Sequence, residues 1–177
     1  METLQLAGMK HTGKSSLGRL WADRHGWDFY DLDHLMEDGT GKTSRQLYLD
    51  EGREGFQRRE AEAAARIAPR LSRGRAVLAW GGGTSVNDRA VKALLAFGVL
   101  IALSDSADVL YERIIKGGRP AFLSPDTPRE DFQRVYVERT AWLSELTPWR
   151  LDLRGASLTE AYSRLENLWN SIPSGTS

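Results

Sequence analysis

No cysteine occurs among the 177 residues, which excludes a disulfide framework, a thiolate nucleophile and a cysteine-ligated zinc site. Histidine is scarce as well: His11, His25 and His34 stand at no spacing that suits a metal centre. Neither sign of charge is in excess, with 24 Lys plus Arg against 24 Asp plus Glu. No global field therefore draws the chain to nucleic acid or to an anionic membrane. No stretch reaches the roughly 18 consecutive apolar residues of a membrane span. The N-terminus runs into a first strand without a basic and then apolar leader, so a cytoplasmic protein is expected. Repeats of roughly 20–50 residues are missing, and the only low-complexity tract is the short polar tail Pro173 to Ser177, expected to be disordered. What remains is a chain whose length suits one compact domain, residues 1–172, burying roughly two-thirds of its unfolded surface. The expected partner is a small molecule, with no nucleic acid and no membrane, and the expected state is a monomer.

What is there begins at the N-terminus with "TLQLAGMKHTGKSSLG", Thr3 to Gly18. Gly8, Gly13, Lys14 and Ser15 fit the phosphate-loop pattern G-x-x-x-x-G-K-[ST]. Leu4 and Leu6 before it, with Leu17, Leu20 and Trp21 after it, supply the strand and the helix that the pattern needs. Such a loop turns backbone N–H groups toward an anion at a helix start, where the dipole already favours negative charge. Lys14 would reach the β- and γ-phosphates of a nucleotide and the Ser15 hydroxyl would ligate Mg²⁺. Nucleotide contacts are expected from the whole loop: Gly8, Lys10, His11, Thr12, Gly13, Lys14, Ser15 and Ser16.

Strand-like runs are predicted at Thr3–Ala7, Asp28–Leu32, Ala76–Trp80 and Val99–Leu103, with a weaker fifth around Arg150–Leu153, and helical patterns separate them. That alternation predicts an α/β fold, a three-layer sandwich with a five-stranded parallel sheet of the phosphate-loop NTPase type. A first helix from Lys14 to about His25 should stop at Gly26. A long helix is predicted from Arg53 to Ser72, with Pro69 ending or kinking its last turn. The last helix opens on a capping box, Ser157 to Glu160, and carries Leu158, Ala161, Tyr162, Leu165 and Leu168 at helical spacing. Two segments break the alternation, Glu37 to Gly55 and the Gly- and Pro-rich Lys116 to Pro128. The second reads either as a lid over a nucleotide or as an ordinary surface loop.

Several constellations carry chemistry. "GTGKT" at Gly39–Thr43 imitates a phosphate loop, but Met36 stands where the first glycine is required and no strand precedes it. Asp31 and Asp33 in "FYDLD" are read as ending the second strand on one side of it, where they suit a metal or a hydroxyl, or simply cap the next turn. Gly81, Gly82 and Gly83 follow the third strand and let a backbone pass close to a ligand. Arg113, Arg119 and Arg139 fall in or beside the lid and the helix after it, and arginine suits bidentate contact with carboxylate or phosphate.

In their order along the chain these residues resemble the shikimate kinase family, over a stretch from Leu4 to about Leu168. The landmarks are "GMKHTGKSSLG", "FYDLD", "GTGKTSRQLYLDEGREGFQRRE", "GGG", "GGRPAFL" and Arg139. The resemblance implies a nucleoside-monophosphate-kinase-like fold with an acceptor-binding segment at about residues 33–62 and a mobile lid at about 116–128. It also implies ATP and Mg²⁺, transfer of phosphate to a hydroxyl of shikimate giving shikimate 3-phosphate, and a place in aromatic amino-acid biosynthesis. Asp33 is then similar to the family's acceptor-hydroxyl aspartate, and Asp31 to the one that supports Mg²⁺ through water. Gly81, Gly82 and Gly83 would line the acceptor pocket, Arg119 would reach phosphate and acceptor from the lid, Arg139 would bind the acceptor carboxylate and Arg113 would stack on adenine. Lys14, Asp33 and Arg119 are the expected catalytic groups.

Three departures accompany the resemblance. Gln57 stands where the family has an arginine that helps clamp the shikimate carboxylate, although Glu60, which braces that arginine, is kept. Arg58 lies a further 100° round the helix and is no direct substitute. Losing one charged hydrogen bond to a carboxylate is worth about 1.5–3 kcal/mol, on the order of ten- to a hundredfold in binding. Leu143 replaces a usual tyrosine, and His11 a usual glycine. Besides a shikimate kinase, the sequence therefore leaves open a kinase of the same fold for another hydroxylated metabolite, such as a sugar acid or a polyol. A nucleotide-binding regulator without turnover is the third reading.

Overall fold

The computed structural model describes residues 3–120 and 122–173. Of the tail expected to be disordered, residues 174–177 lie outside the described residues, as does Ala121 in the segment read as a lid. Five strands, β1 (Thr3–Ala7), β2 (Asp28–Asp31), β3 (Ala76–Ala79), β4 (Val99–Ser104) and β5 (Arg150–Asp152), form one sheet. All neighbours are parallel and the order is β2-β3-β1-β4-β5. Among the described residues seven α-helices flank the sheet: α1 (Lys14–His25), α2 (Leu32–Thr40), α3 (Ser44–Leu71), α4 (Asp88–Leu94), α5 (Ala107–Lys116), α6 (Pro128–Leu146) and α7 (Leu158–Ser171). No helix among the described residues is long and apolar enough to cross a membrane.

The central strands β1 and β3 are buried along their whole length, as a parallel sheet covered on both faces requires. Alternate residues feed two cores. Leu4 and Leu6 pack with Leu17, Trp21, Val77, Ile101 and Leu165 on one face, while Ala7, Leu78 and Trp80 meet Leu32, Met36, Ala64, Ile67 and Leu71 on the other. Removing one such fully buried leucine side chain to alanine costs about 2–5 kcal/mol. Two polar residues are buried in β1: Thr3 donates its hydroxyl to the Leu71 carbonyl (3.0 Å), and Gln5 uses each end of its amide. Its Nε2 donates to the carbonyls of Leu94 (2.8 Å) and Phe97 (2.5 Å), and its Oε1 accepts from Trp80 Nε1 (2.8 Å).

The first helix and its left-handed Gly26 cap, and the Ser157–Glu160 capping box of α7, lie where the sequence predicts them. Elsewhere the structure corrects the expectation. The segment 37–55 is helical rather than irregular for most of its length: α2 runs to Thr40, and Thr43 caps α3, which starts at Ser44. Gly52 then breaks α3 with φ 67° and ψ −171°, a conformation open to glycine and closed to side chains with a Cβ, so that Arg53 opens the second half. Pro69 sits in the final turn, two residues before the helix ends. Asp33 is not a strand residue: β2 stops at Asp31 and Asp33 lies in the first turn of α2. Leu158 is 45 % exposed, because the first turn of α7 lies outside the packed stripe formed by Ala161, Tyr162 and Leu165.

Candidate active site

The C-terminal ends of β1, β2 and β3 bring the candidate residues to one edge of the sheet, where ligands bind in open α/β folds. After β1 the chain turns through Gly8 to Gly13 into α1. Thr12, 1 % exposed, tightens this loop by donating from its backbone N–H (3.3 Å) and its hydroxyl (2.9 Å) to the Met9 carbonyl. Lys14, the first residue of α1, folds back over the loop, and its ammonium donates to the carbonyls of Gly8 (3.0 Å) and Met9 (2.9 Å). Burial lowers its pKa to about 8 against the opposing pull of Asp33 and Asp31, with Arg139 and Lys10 adding to the fall.

Ser15 and Asp31 meet directly: Ser15 Oγ donates to Asp31 Oδ2 at 2.5 Å. The other oxygen of Asp31 accepts from the backbone N–H of Asp33 (3.1 Å) and His34 (3.4 Å), capping α2. Asp31 is thus both the cap of α2 and the partner of Ser15. His11 has φ 64° and is exposed on the loop with Lys10, while Ser16 is exposed on the first turn of α1. Burial lowers the His11 pKa, and the positive charges of Lys10, Lys14 and Arg113 lower it further. Arg113 reaches the loop from α5, holding the buried carboxylate of Asp105 at 3.1 Å and the His11 carbonyl at 3.5 Å.

Beside the loop lies a cavity of about 510 Å³. Lys10, Asp33, Gln57, Glu60, Gly82, Gly83 and Arg139 line it together with Arg45, Tyr48, Arg53, Phe56, Phe122 and Glu138. Burial raises the Asp33 pKa above the usual 3.8, and the neighbouring Asp31 carboxylate raises it further, while Lys14 and Lys10 oppose. Of the three glycines expected to line the cavity, Gly82 and Gly83 do and Gly81 does not; Gly81 lies behind them, where a Cβ would stand 2.7 Å from Asp33 Oδ1 and 2.9 Å from Glu60 Oε1. Arg139 reaches in from α6, with Nη1 donating to the Gly82 carbonyl at 2.7 Å. Its Nε is buried without a hydrogen-bond partner among the described residues. Glu60, 1 % exposed, accepts from Thr84 Oγ1 (2.5 Å) and Asn87 Nδ2 (2.8 Å), and burial raises its pKa. Gln57 donates from Nε2 to the Val86 carbonyl at 3.3 Å.

The structure does not bring Arg119 into this cavity. Its Nη1 donates to the Leu123 carbonyl (2.8 Å), and its own carbonyl accepts from Arg45 Nη1 (2.6 Å), so the lid arginine is engaged within the lid. Gly117, Gly118, Pro120 and Phe122 of the same loop do face the cavity.

Comparison with known proteins decides the family. A family model described as "Shikimate kinase" matches residues 10–167. The chain belongs to the shikimate kinase family. The shikimate kinase of Thermodesulfovibrio yellowstonii is 30 % identical over 174 residues, covering 94 % of this chain and 98 % of that protein. That of Symbiobacterium thermophilum is 39 % identical over 124 residues, covering 68 % and 70 %. A solved shikimate kinase from Acinetobacter baumannii, in complex with shikimate, superposes with a TM-score of 0.85 at 25 % identity, covering 98 % of this chain and 96 % of its own.

Within a shikimate kinase the division of this site is chemically sensible, a cationic loop for phosphates on one side and a cavity for an acceptor on the other. The Ser15 hydroxyl and the Asp31 carboxylate fit Mg²⁺. Two oxygens are few, and no cluster of three His, Cys, Asp or Glu occurs among the described residues, but Mg²⁺ is commonly held by one or two protein oxygens with waters and substrate phosphates completing its shell. Sequence reasoning missed Arg45, Tyr48, Arg53, Phe122 and Glu138. For Arg53 a signal existed, its spacing of four from Gln57 on one helix face; for the others nothing local distinguishes them from surface residues.

Proposed function

We propose that this chain transfers the γ-phosphoryl group of ATP to a hydroxyl of shikimate, with Mg²⁺ as the accompanying metal. The observation that carries this reading is the acceptor cavity. It joins a carboxylate in the first turn of α2, Asp33, to a guanidinium, Arg139, whose buried Nε has no partner among the described residues. A buried donor without a partner costs about 1–3 kcal/mol, which a carboxylate on the acceptor offsets. The charges agree: Lys10, Arg45, Arg53 and Arg139 face the cavity against Asp33, Glu60 and Glu138, an excess of one positive charge suited to an anionic acceptor.

In the reaction the acceptor oxygen forms a bond to the γ-phosphorus as the bond to the β-bridging oxygen breaks, leaving ADP. Asp33 accepts the hydroxyl proton or orients the hydroxyl for attack. Lys14 meets the charge on the transferring group, Arg119 joins it when the lid closes and its guanidinium leaves the Leu123 carbonyl, and the loop from Gly8 to Ser16 holds the phosphates. Arg113 flanks the adenine side, Gly81, Gly82 and Gly83 shape the acceptor wall, and Ser15 with Asp31 would hold Mg²⁺, which neutralises phosphate charge when bound. A second reading, a sugar acid or polyol as acceptor, rests on the neutral Gln57 amide in the cavity. The test is ATP consumption with shikimate and a panel of hydroxylated acids and polyols. Saturable turnover is expected with shikimate; its absence at millimolar concentration, with turnover of another acceptor, overturns the assignment.

A further inference from the structure

Gln57 leaves the acceptor cavity without the second arginine that the family resemblance leads one to expect, yet the same helix carries another guanidinium one turn earlier. Arg53 lines the cavity together with Gln57 and Arg139. Four residues separate Arg53 from Gln57, which places them about 40° apart round the helix and about 6 Å apart along it. Flexible and long, an arginine stem spans such a distance readily.

Three further observations single out this residue. Its neighbours are committed: Arg58 and Arg59 both bind Glu51 (3.1 and 3.2 Å) and Arg45 donates to the Arg119 carbonyl (2.6 Å). Arg53 itself makes no hydrogen bond or ion pair within the described residues. Arg139 faces the same cavity: burial lowers its pKa, Glu60 and Glu138 oppose, and the positive charge of Arg53 adds to the fall. Finally, Arg53 stands in the first turn after the Gly52 break, where a cation opposes the helix dipole. Two cations beside one cavity, one of them at the unfavourable end of a helix segment, are compatible with a stable site when an anion comes between them.

Resting on shikimate as the acceptor, we infer that Arg53 supplies the second guanidinium for the acceptor carboxylate, opposite Arg139, in the place that Gln57 leaves. The clamp is moved along α3 by one turn. Gln57, bonded to the Val86 carbonyl, then serves as a neutral spacer, and an arginine added at 57 would repel the one at 53.

The test is a set of saturation curves for wild type, Arg53→Ala, Arg53→Lys, Gln57→Arg and the double variant Arg53→Ala with Gln57→Arg, with ATP and shikimate varied in turn. Arg53→Ala should raise KM for shikimate about tenfold, with kcat within twofold and KM for ATP unchanged, the pattern of a lost uniform binding contact. Arg53→Lys should retain part of the affinity as a point charge. Gln57→Arg should gain little in the wild type and should restore the shikimate KM in the Arg53→Ala background. With the methyl ester of shikimate, wild type and Arg53→Ala should give the same KM. A shikimate KM within twofold of wild type in Arg53→Ala, an equal loss on the ester, or a parallel rise in KM for ATP overturns the inference and leaves the acceptor assignment standing. Absence of wild-type turnover on shikimate removes the acceptor assignment and the inference with it.

Discussion

Lys14 offers a test in which activity and stability move in opposite directions. The perturbation is Lys14→Met, which keeps an unbranched stem and removes the charge. In the folded protein Lys14 is 7 % exposed and the pKa of its ammonium falls from 10.5 to about 8. At 1.36 kcal/mol per pH unit, holding it as a cation at pH 7 costs about 3 kcal/mol of folding free energy. Methionine removes that cost but withdraws the donor from the Gly8 carbonyl, at about 1 kcal/mol. The Met9 carbonyl keeps its bonds from Thr12. The net expectation is a ligand-free variant more stable than wild type by about 2 kcal/mol at pH 7, or about 4–8 °C in Tm for a domain of this size. The pH dependence has a definite sign. Between about 8 and 10.5 the unfolded chain binds a proton that the folded one has lost, so wild-type stability rises across that window and the penalty is complete below it. At pH 9.5 the penalty has fallen to about 1 kcal/mol and the variant's advantage is close to zero. The assay is urea unfolding of both proteins at pH 7 and 9.5 in EDTA without nucleotide, paired with turnover, which should drop by about 10²–10³. A variant no more stable than wild type at pH 7, or an advantage of the same size at both pH values, refutes the reasoning.

Asp33→Asn should lower kcat by about 10²–10⁴ while leaving KM for ATP nearly unchanged, since it removes the proton acceptor and leaves the phosphate loop intact; retention of a tenth of wild-type turnover would show that the carboxylate is dispensable. In the loop between α5 and α6, the backbone bonds Gly118 N–H to Ile115 O and Leu123 N–H to Pro120 O are local, so amide exchange there should be fast in the free protein and slow with ATP and shikimate. Protection that is already high without ligands counts against a closing lid.

The parts of this molecule that were legible in its sequence are those whose cause is local. The strands β1, β3 and β4 show as short apolar runs and β2 and β5 as weaker, mixed ones, α1 is bracketed by its phosphate loop and Gly26, and α7 announces itself through Ser157 and Glu160. The helices between residues 32 and 52 were not legible. Their exposed faces are polar, the Gly39–Thr43 stretch reads as loop, and Gly52 interrupts the period before it can accumulate. Asp33 was placed correctly at the sheet edge but on the wrong element, since its role depends on where β2 stops and Asp31 begins to cap. Arg53 and the Thr84 and Asn87 partners of Glu60 come together only through tertiary packing of α3 against the turn after β3. Arg119 shows the reverse: its place in the chain is clear from the motif, yet its side chain bonds to Leu123.

The two oxygens of Asp31 are tied to different elements, α1 and α2. Oδ2 is held by the helix that follows the phosphate loop, and Oδ1 holds the turn that carries Asp33. Donor and acceptor sides therefore share one rigid member, like two doors hung on a single post. Whatever draws the Ser15 side of that carboxylate also loads the first turn of α2, so the position of the Asp33 carboxylate cannot be adjusted independently of the loop that receives the nucleotide. An alanine at 31 would uncouple the two doors and leave each able to swing without the other.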